Sequence, residues 1–297
     1  MPLSFPVLAT RLTITPLPSR FAVWTLYKLP DTLAKSLEPA DLPIATTSEN
    51  PTPRHRRQRD GDDGSTPAEI AVGGIHDRAI ELLGHGSRVP AETRVVDIGA
   101  GMGALSRRLS DAGYQVFACD LFPEYFRVPE VECLPVAQDG RLPYEDSSLD
   151  VAFGVELVEH LEETERLFGE VARVLKPGGE LIITTPNILS LKSRLGFLLT
   201  GYAYSFPPLD PEVRDPVRQH ITPLTLDGYR WRLKQAGFDI VEVAVDKFQS
   251  TSLWLSFLLP LVWLASFKTS RKSANAWPQN QFRMLYGRTL MIRARRA

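Results

Sequence analysis

A short apolar strand that runs into a glycine-rich turn and then a helix constrains this chain more than any other feature. The run is Val95-Val96-Asp97-Ile98-Gly99-Ala100-Gly101-Met102-Gly103. Helical spacing follows from Ala104 to Ala112, with Leu105, Leu109 and Ala112 on one face. Glycines let the backbone turn sharply and approach a ligand closely. The helix N-terminus behind them offers unpaired N–H groups and a positive dipole end, which suit a phosphate or a carboxylate. A G-x-G on its own does not choose between those ligands.

The alternation continues downstream. Ala68 to Gly84 has helical spacing, with Ile70, Ile75, Ala79, Leu82 and Leu83 in register. Strands are predicted at Arg94 to Ile98, Gln115 to Cys119, Glu132 to Ala137, Leu149 to Val155 and Glu180 to Thr185. A helix is predicted from His160 to Leu175, stopped by Lys176-Pro177-Gly178-Gly179, and another from Thr225 to Ala236. Strands alternating with helices predict a parallel sheet covered on both faces. The central strands are continuously apolar, as double coverage requires. Between the second and third strands, Leu121 to Val131 is short and contains Pro123 and Pro129, so the helix expected there is stunted or missing.

Residues 1–67 read differently. Glu38 to Pro67 is rich in Pro, Thr, Ser, Asp and Arg and has no aromatic residue, which predicts a disordered linker. The Arg54-His55-Arg56-Arg57-Gln58-Arg59 run reads first as a solvated part of it, and second as a contact for anionic lipid or nucleic acid. Residues 68–297 are expected to form the folded domain. The formal net charge is −1, so the chain as a whole is not expected to hold nucleic acid by bulk electrostatics. Its two cysteines, Cys119 and Cys133, form no C-x-x-C pair, and no histidines stand near them at metal-ligand spacing. No metal site is expected, and a reducing, cytoplasmic compartment fits best. Met1 to Trp24 has no continuous apolar run after a basic start, so no secretory signal is expected.

Asp120 closes the second strand about twenty residues beyond the glycines, where an acid can accept from ribose hydroxyls. Nicotinamide and S-adenosylmethionine cofactors both remain open at that point. The spacing is G-x-G-x-G, not the full dinucleotide fingerprint. Asp97 precedes the glycines; a carboxylate there opposes a pyrophosphate but suits the ammonium of a methionine moiety. Asp97 could also simply stabilise the loop. Then comes Ala137-Gln138-Asp139-Gly140-Arg141-Leu142-Pro143-Tyr144-Glu145-Asp146-Ser147-Ser148-Leu149-Asp150.

Taken with Leu175-Lys176-Pro177-Gly178-Gly179 and the strand after it, this segment resembles the class I S-adenosylmethionine-dependent methyltransferases. It is similar to their pattern D-x-x-x-L-P-[FY]-x-D-x-[SF]-[FL]-D, matching it from Leu142 to Asp150, with Asp139 one position closer to the leucine. The resemblance covers Pro67 to Ala297. It implies an α/β, Rossmann-like fold with a seven-stranded, mostly parallel sheet, helices on both faces, and a final antiparallel pair at Ile240 to Val245 and Thr289 to Ile292. It implies S-adenosylmethionine as cofactor. Gly99 and Gly101 would approach its methionine part, with Ala100 and Gly103 in the same loop. Asp120 would bind the ribose beside Leu121, and Asp139, next to Gly140, would accept from the adenine amino group. Val155 to His160 would lie beside the reacting methyl. Asp139 also reads as a turn residue before Gly140.

His160, in Val158-Glu159-His160-Leu161, is the first candidate base, and the string is similar to the acidic-His pair of quinone O-methyltransferases. His160 could equally cap the next helix. His220 is the second candidate, or a surface histidine. Residues 188–222 exceed a minimal fold and read as a lid, with Tyr202, Tyr204 and Phe206 lining a pocket or packing on one another. Residues 250–272 form an apolar insertion. Its centre, Leu253 to Phe267, has no charge and two tryptophans, and Lys268, Arg271 and Lys272 follow it. Peripheral membrane contact, a lipid-like substrate, a buried core and a homodimer face all stay open.

The expected activity is methyl transfer to a small or lipid-like acceptor, with an oxygen acceptor favoured. The alternatives are a catalytically silent S-adenosylmethionine-binding module at a membrane and an NAD-dependent oxidoreductase.

Overall fold

A computed structural model describes residues 73–84, 89–213, 219–270 and 279–297. The chain divides into two units, Met1–Gln58 and Arg59–Ala297. The linker expected within residues 1–67, the start of the first helix at residues 68–72, and the basic run at Arg54 to Arg59 lie outside the described residues.

The described residues form α1 (Ile75–Leu83), β1 (Arg94–Ile98), α2 (Ala104–Asp111), β2 (Gln115–Asp120), β3 (Cys133–Pro135), β4 (Leu149–Val155), α3 (Thr164–Val174) and β5 (Leu175–Pro186). Then come α4 (Leu191–Thr200), α5 (Leu226–Gln235), β6 (Phe238–Val245), α6 (Ser250–Trp254), α7 (Leu259–Ser270), α8 (Phe282–Tyr286) and β7 (Thr289–Arg296). The seven strands make one sheet in the order β3-β2-β1-β4-β5-β7-β6. β1 to β5 pair in parallel, and β7 runs antiparallel to both β5 and β6. This is the fold class expected.

Strand geometry explains the continuous apolar runs. Successive side chains point to opposite faces of a sheet. Val95, Val151 and Phe153 face one core with Ala79 and Leu83 of α1 and Leu105 and Leu109 of α2. Val96, Ile98 and Ala152 face the other, with Phe168 and Val171 of α3 and Tyr229 and Leu233 of α5. The same alternation puts Asp97 on the α2 side, where the nearest polar group is the Ser106 hydroxyl.

Several boundaries differ from the sequence reading. The helix predicted from His160 begins at Thr164, after a 3-10 turn at Val158–His160. The carbonyl of Glu159 accepts from the Ile221 N–H (2.8 Å) and the Thr222 N–H (3.0 Å), and the Thr222 hydroxyl donates to the Leu161 carbonyl. Carbonyls engaged by a distant segment favour the extended start over a helix that would need them itself. The connection from β2 to β3 holds only a 3-10 turn at Pro123–Tyr125, as the prolines predict. β7 extends to Arg296, past the predicted Ile292, because it pairs on both sides.

The core reading of Leu253 to Phe267 fails. The segment forms α6, a 3-10 turn at Leu255–Leu258 and α7, and much of its apolar surface faces outward. No helix among the described residues is long and apolar enough to cross a membrane.

Candidate functional site at the carboxyl ends of the strands

In open α/β sheets, ligands bind beyond the carboxyl ends of the strands, where the strand order reverses. Here that point lies between β1 and β4. The Gly99-to-Gly103 loop leaves β1 there, Asp120 ends β2, the Ala137-to-Arg141 turn follows β3, and Val155 to His160 leaves β4.

The glycine loop is held by its neighbours. The N–H groups of Gly99 and Ala100 both donate to the Cys119 carbonyl, at 2.9 and 3.2 Å. Gly103 has φ 91°, and a Cβ there would come within 2.5 Å of Val128, so only glycine fits where the loop enters α2. The packing partners, Phe126 and Val128, come from the connection that lacks a full helix. Gly103 at the N-cap of α2 provides no side-chain cap, while buried Asp97 engages the Ser106 backbone and hydroxyl within the first turn.

Asp120 is already set. Its Oδ2 accepts from the Gly101 N–H and its Oδ1 from the Phe122 N–H, both at 2.8 Å. A carboxylate oxygen has a second lone pair, so both remain able to accept from hydroxyls. Leu121, Phe122 and Tyr125, just beyond it, expose apolar surface. Asp139 accepts from the Arg141 N–H at 3.1 Å in a turn closed by Gly140, which has φ 76°. The turn geometry anticipated for it is therefore present.

Asp97 is not on the loop surface. It is buried and accepts from the Ser106 hydroxyl at 2.7 Å. Burial, which the Ser106 hydrogen bonds only partly offset, pushes its carboxyl up to about 6. A raised acid favours the folded state only where it is protonated. Stability of the ligand-free protein therefore falls as pH rises from the unfolded value of 3.8 to about 6, by about 3 kcal/mol at most. Replacing Asp97 by Asn should raise the ligand-free melting temperature at pH 8 by several degrees, and the gain should vanish near pH 4. Thermal melts across that range check it.

Burial pushes the Cys119 thiol up and holds Cys133 near 12, so neither is a ready nucleophile.

After β4 the chain carries a strained residue. Glu156 has φ 50°, a left-handed conformation rare outside glycine. Its N–H donates to the Thr184 hydroxyl (3.0 Å), which in turn donates to its carboxylate (3.2 Å). Burial, then nearby Asp246, pushes its carboxyl up to about 7 against the opposing pull of Thr184 and Arg288. Glu159 is fully buried, and neither carboxylate oxygen makes a hydrogen bond of ordinary geometry among the described residues. Burial and the nearby Glu156 hold it well above the usual carboxylate range, with only partial relief from its own backbone and Thr185.

The two candidate bases meet. His160 and His220, far apart in sequence, have ring centroids 4.7 Å apart in an edge-on arrangement. His160 Nδ1 lies 2.9 Å from the Gln219 carbonyl. A carbonyl only accepts, so Nδ1 carries the proton and neutral His160 presents a lone pair at Nε2. Burial, then the His160 ring, lowers the His220 pKa, with the Ser205 backbone opposing. The ligand-type atoms of Glu159, His160 and His220 all lie within 4.8 Å of one another.

The three lid aromatics do not share one role. Phe206 is buried and packs on His220 at 5.5 Å. Tyr204 lies beneath the Lys192 ammonium, 4.1 Å away. Tyr202 is exposed. A single pocket lined by all three is not what forms.

Sequence reasoning missed two residues here. Gln219, which orients His160, showed no motif. Asn187 is buried and donates to the Met284 and Gly287 carbonyls (2.8 and 2.9 Å) while accepting from the Leu189 N–H (3.0 Å). It ties the exit of β5 to the segment before β7. An asparagine at the end of a predicted strand was the only available signal.

With this geometry in place, comparison with known proteins is informative. Residues 96–183 match a family described as a methyltransferase domain. The chain is 30% identical over 171 residues to a ubiquinone biosynthesis O-methyltransferase of Xanthomonas axonopodis pv. citri, covering 52% of this chain and 66% of the relative. It is 31% identical over 126 residues to phosphoethanolamine N-methyltransferase 2 of Caenorhabditis elegans, covering 39% of this chain and 28% of the relative. In both cases the match spans less than two thirds of the relative. A crystal structure titled as a SAM-dependent methyltransferase from Archaeoglobus fulgidus superposes with a TM-score of 0.50 at 18% identity, over 75% of this chain and 93% of that one. The last likeness is one of fold.

Proposed function

We propose, for a chain that belongs to the class I S-adenosylmethionine-dependent methyltransferases, that it transfers a methyl group to an oxygen of a small or lipid-like acceptor. The observation that carries the oxygen acceptor is the His160 tautomer. Its Nδ1–H is committed to the Gln219 carbonyl, which leaves Nε2 to take a proton. A hydroxyl is a weak nucleophile until that proton leaves, whereas an unprotonated amine needs no base.

The residues fit the cofactor. S-adenosylmethionine, when bound, supplies an electrophilic methyl on a sulfonium. Asp120, fixed by two backbone N–H groups, would accept from the ribose hydroxyls. The Gly99–Gly103 loop and the start of α2 would receive the methionine carboxylate. Leu121 and Phe122 offer apolar surface for the adenine. The G-x-G-x-G spacing, which departs from the full dinucleotide fingerprint, disfavours the nicotinamide alternative. Bound at the glycine loop, the cofactor would supply its methyl to the acceptor oxygen, with sulfur keeping the electron pair of the carbon–sulfur bond. The hydroxyl proton goes to His160 Nε2. His220 packs edge-on against His160 and Phe206 packs on His220, which limits water there.

Calorimetric titration with S-adenosylmethionine, S-adenosylhomocysteine and NAD tests the premise. The first two should bind and NAD should not; binding of NAD alone would overturn it. Release of S-adenosylhomocysteine in the presence of phenolic acceptors then tests turnover. Binding with no release from any acceptor would assign a silent module. Activity lost to a chelator and restored by a divalent cation would instead assign Glu159, His160 and His220 to a bound cation.

A further inference from the structure

From Phe248 to Phe267 the sequence carries no charged residue. Its fold, α6, a 3-10 turn and α7, uses only one side of that apolar content. Leu255, Leu259 and Val262 pack against Leu191, Leu285 and Tyr286. Ser256 Oγ and Tyr286 Oη, 2.8 Å apart, and the Lys192 N–H bonded to Ser252 Oγ (3.3 Å) fix the segment to the body of the domain.

The opposite side is equally apolar and largely exposed. Trp254 is 84% exposed, Phe257 73%, Leu261 66% and Leu264 65%. They are spaced by three, four and three positions, which places them along one stripe of a helical segment. Exposed Phe197 and Leu198, at the end of the adjacent α4, add to this apolar surface. A surface helix normally turns a polar face outward. A contiguous apolar patch of this kind marks an interaction site.

We propose that this stripe docks the domain on the surface of an anionic lipid bilayer, lying in its plane. Four features choose a bilayer over a protein. The nearest charged residues in sequence on both sides are cations, Lys247 before and Lys268, Arg271 and Lys272 after. Such flanks complement anionic headgroups. A second copy would bring the same basic flanks to one interface, where they would repel one another. Trp254 and Trp263, both exposed, are residue types that settle at the boundary between headgroups and acyl chains. α7 has 12 residues, too few to span, so the stripe can insert only shallowly.

Docking there has a consequence for the site. α4 lies within the segment read as a lid, and Phe206 of the same segment packs on His220. A membrane-resident acceptor would meet the lid without first crossing water.

Vesicle flotation of the full chain tests the proposal. The chain should float with phosphatidylcholine vesicles containing phosphatidylglycerol, and less with phosphatidylcholine alone or in high salt. A triple variant, Trp254→Ser, Leu261→Ser and Leu264→Ser, alters exposed side chains only. It should lose about tenfold or more in vesicle partitioning while melting and binding S-adenosylmethionine like the parent. Quenching of tryptophan fluorescence by brominated lipid should fall with it. A parent that does not float with anionic vesicles overturns the proposal, as does a variant that floats equally well. A parent that dimerises by light scattering, ignores vesicles and becomes monomeric in the variant assigns the stripe to a second copy instead.

Discussion

Asp120→Ala should lower affinity for S-adenosylmethionine by about 100-fold or more, the largest binding effect expected of any single substitution in this domain. Two losses combine. The carboxylate that would accept from the ribose hydroxyls disappears, and hydrogen bonds to a charged group contribute about 1.5–3 kcal/mol each. The Gly101 and Phe122 N–H groups also lose their shared acceptor, so the glycine loop is no longer tied to the end of β2. Asp120→Asn separates the two effects. The amide oxygen can still hold one N–H, so the loop should keep part of its order while ribose recognition weakens. Calorimetric titration of both variants gives the affinities, and amide hydrogen exchange at Gly101 reports the loop. Unchanged affinity in Asp120→Ala would remove Asp120 from the cofactor site.

His160→Ala should reduce kcat toward a hydroxyl acceptor by about 10²- to 10⁴-fold, the range for removal of a positioned general base. Cofactor affinity should change little, since His160 stands beyond β4 and not in the glycine loop. The expected signature is a kcat loss that rising pH partly repairs, because a more alkaline medium ionises the acceptor without help. A residue that only capped the chain before α3 would show a lower melting temperature and no such pH rescue. His220→Asn should cost less, since its ring supports His160 and its lowered pKa keeps it neutral near pH 7. If His220→Asn proves the more damaging, the two histidines exchange roles.

Much of the architecture could be read directly from residue order. The β1 and β4 strands are buried on both faces, so they are mostly apolar, with Asp97 and Asp150 as the acids within them, and their limits at Arg94–Ile98 and Leu149–Val155 follow from that. Pro123 and Pro129 foretold the missing helix after β2. The start of α3 was not legible. Leu161 continues the helical apolar period, but the carbonyls around it are engaged by Ile221 and Thr222, and no local pattern encodes a partner that distant.

The candidate site divides the same way. The sequence alone determined where the proposed cofactor half lies, because the glycine loop, Asp120 and the turn after β3 each sit at a strand end, and their places follow from strand order. Only the tertiary structure decided the rest. It buried Asp97 against Ser106, as the alternation of β1 requires, and set Gln219 to fix the His160 tautomer. It also brought His160 and His220 together across the lid. Whether the apolar stretch after β6 is core or surface was likewise undecidable from composition, since both readings need the same residues. Packing resolved it: Leu255, Leu259 and Val262 suffice to hold the segment down, and that leaves Trp254, Phe257, Leu261 and Leu264 facing out.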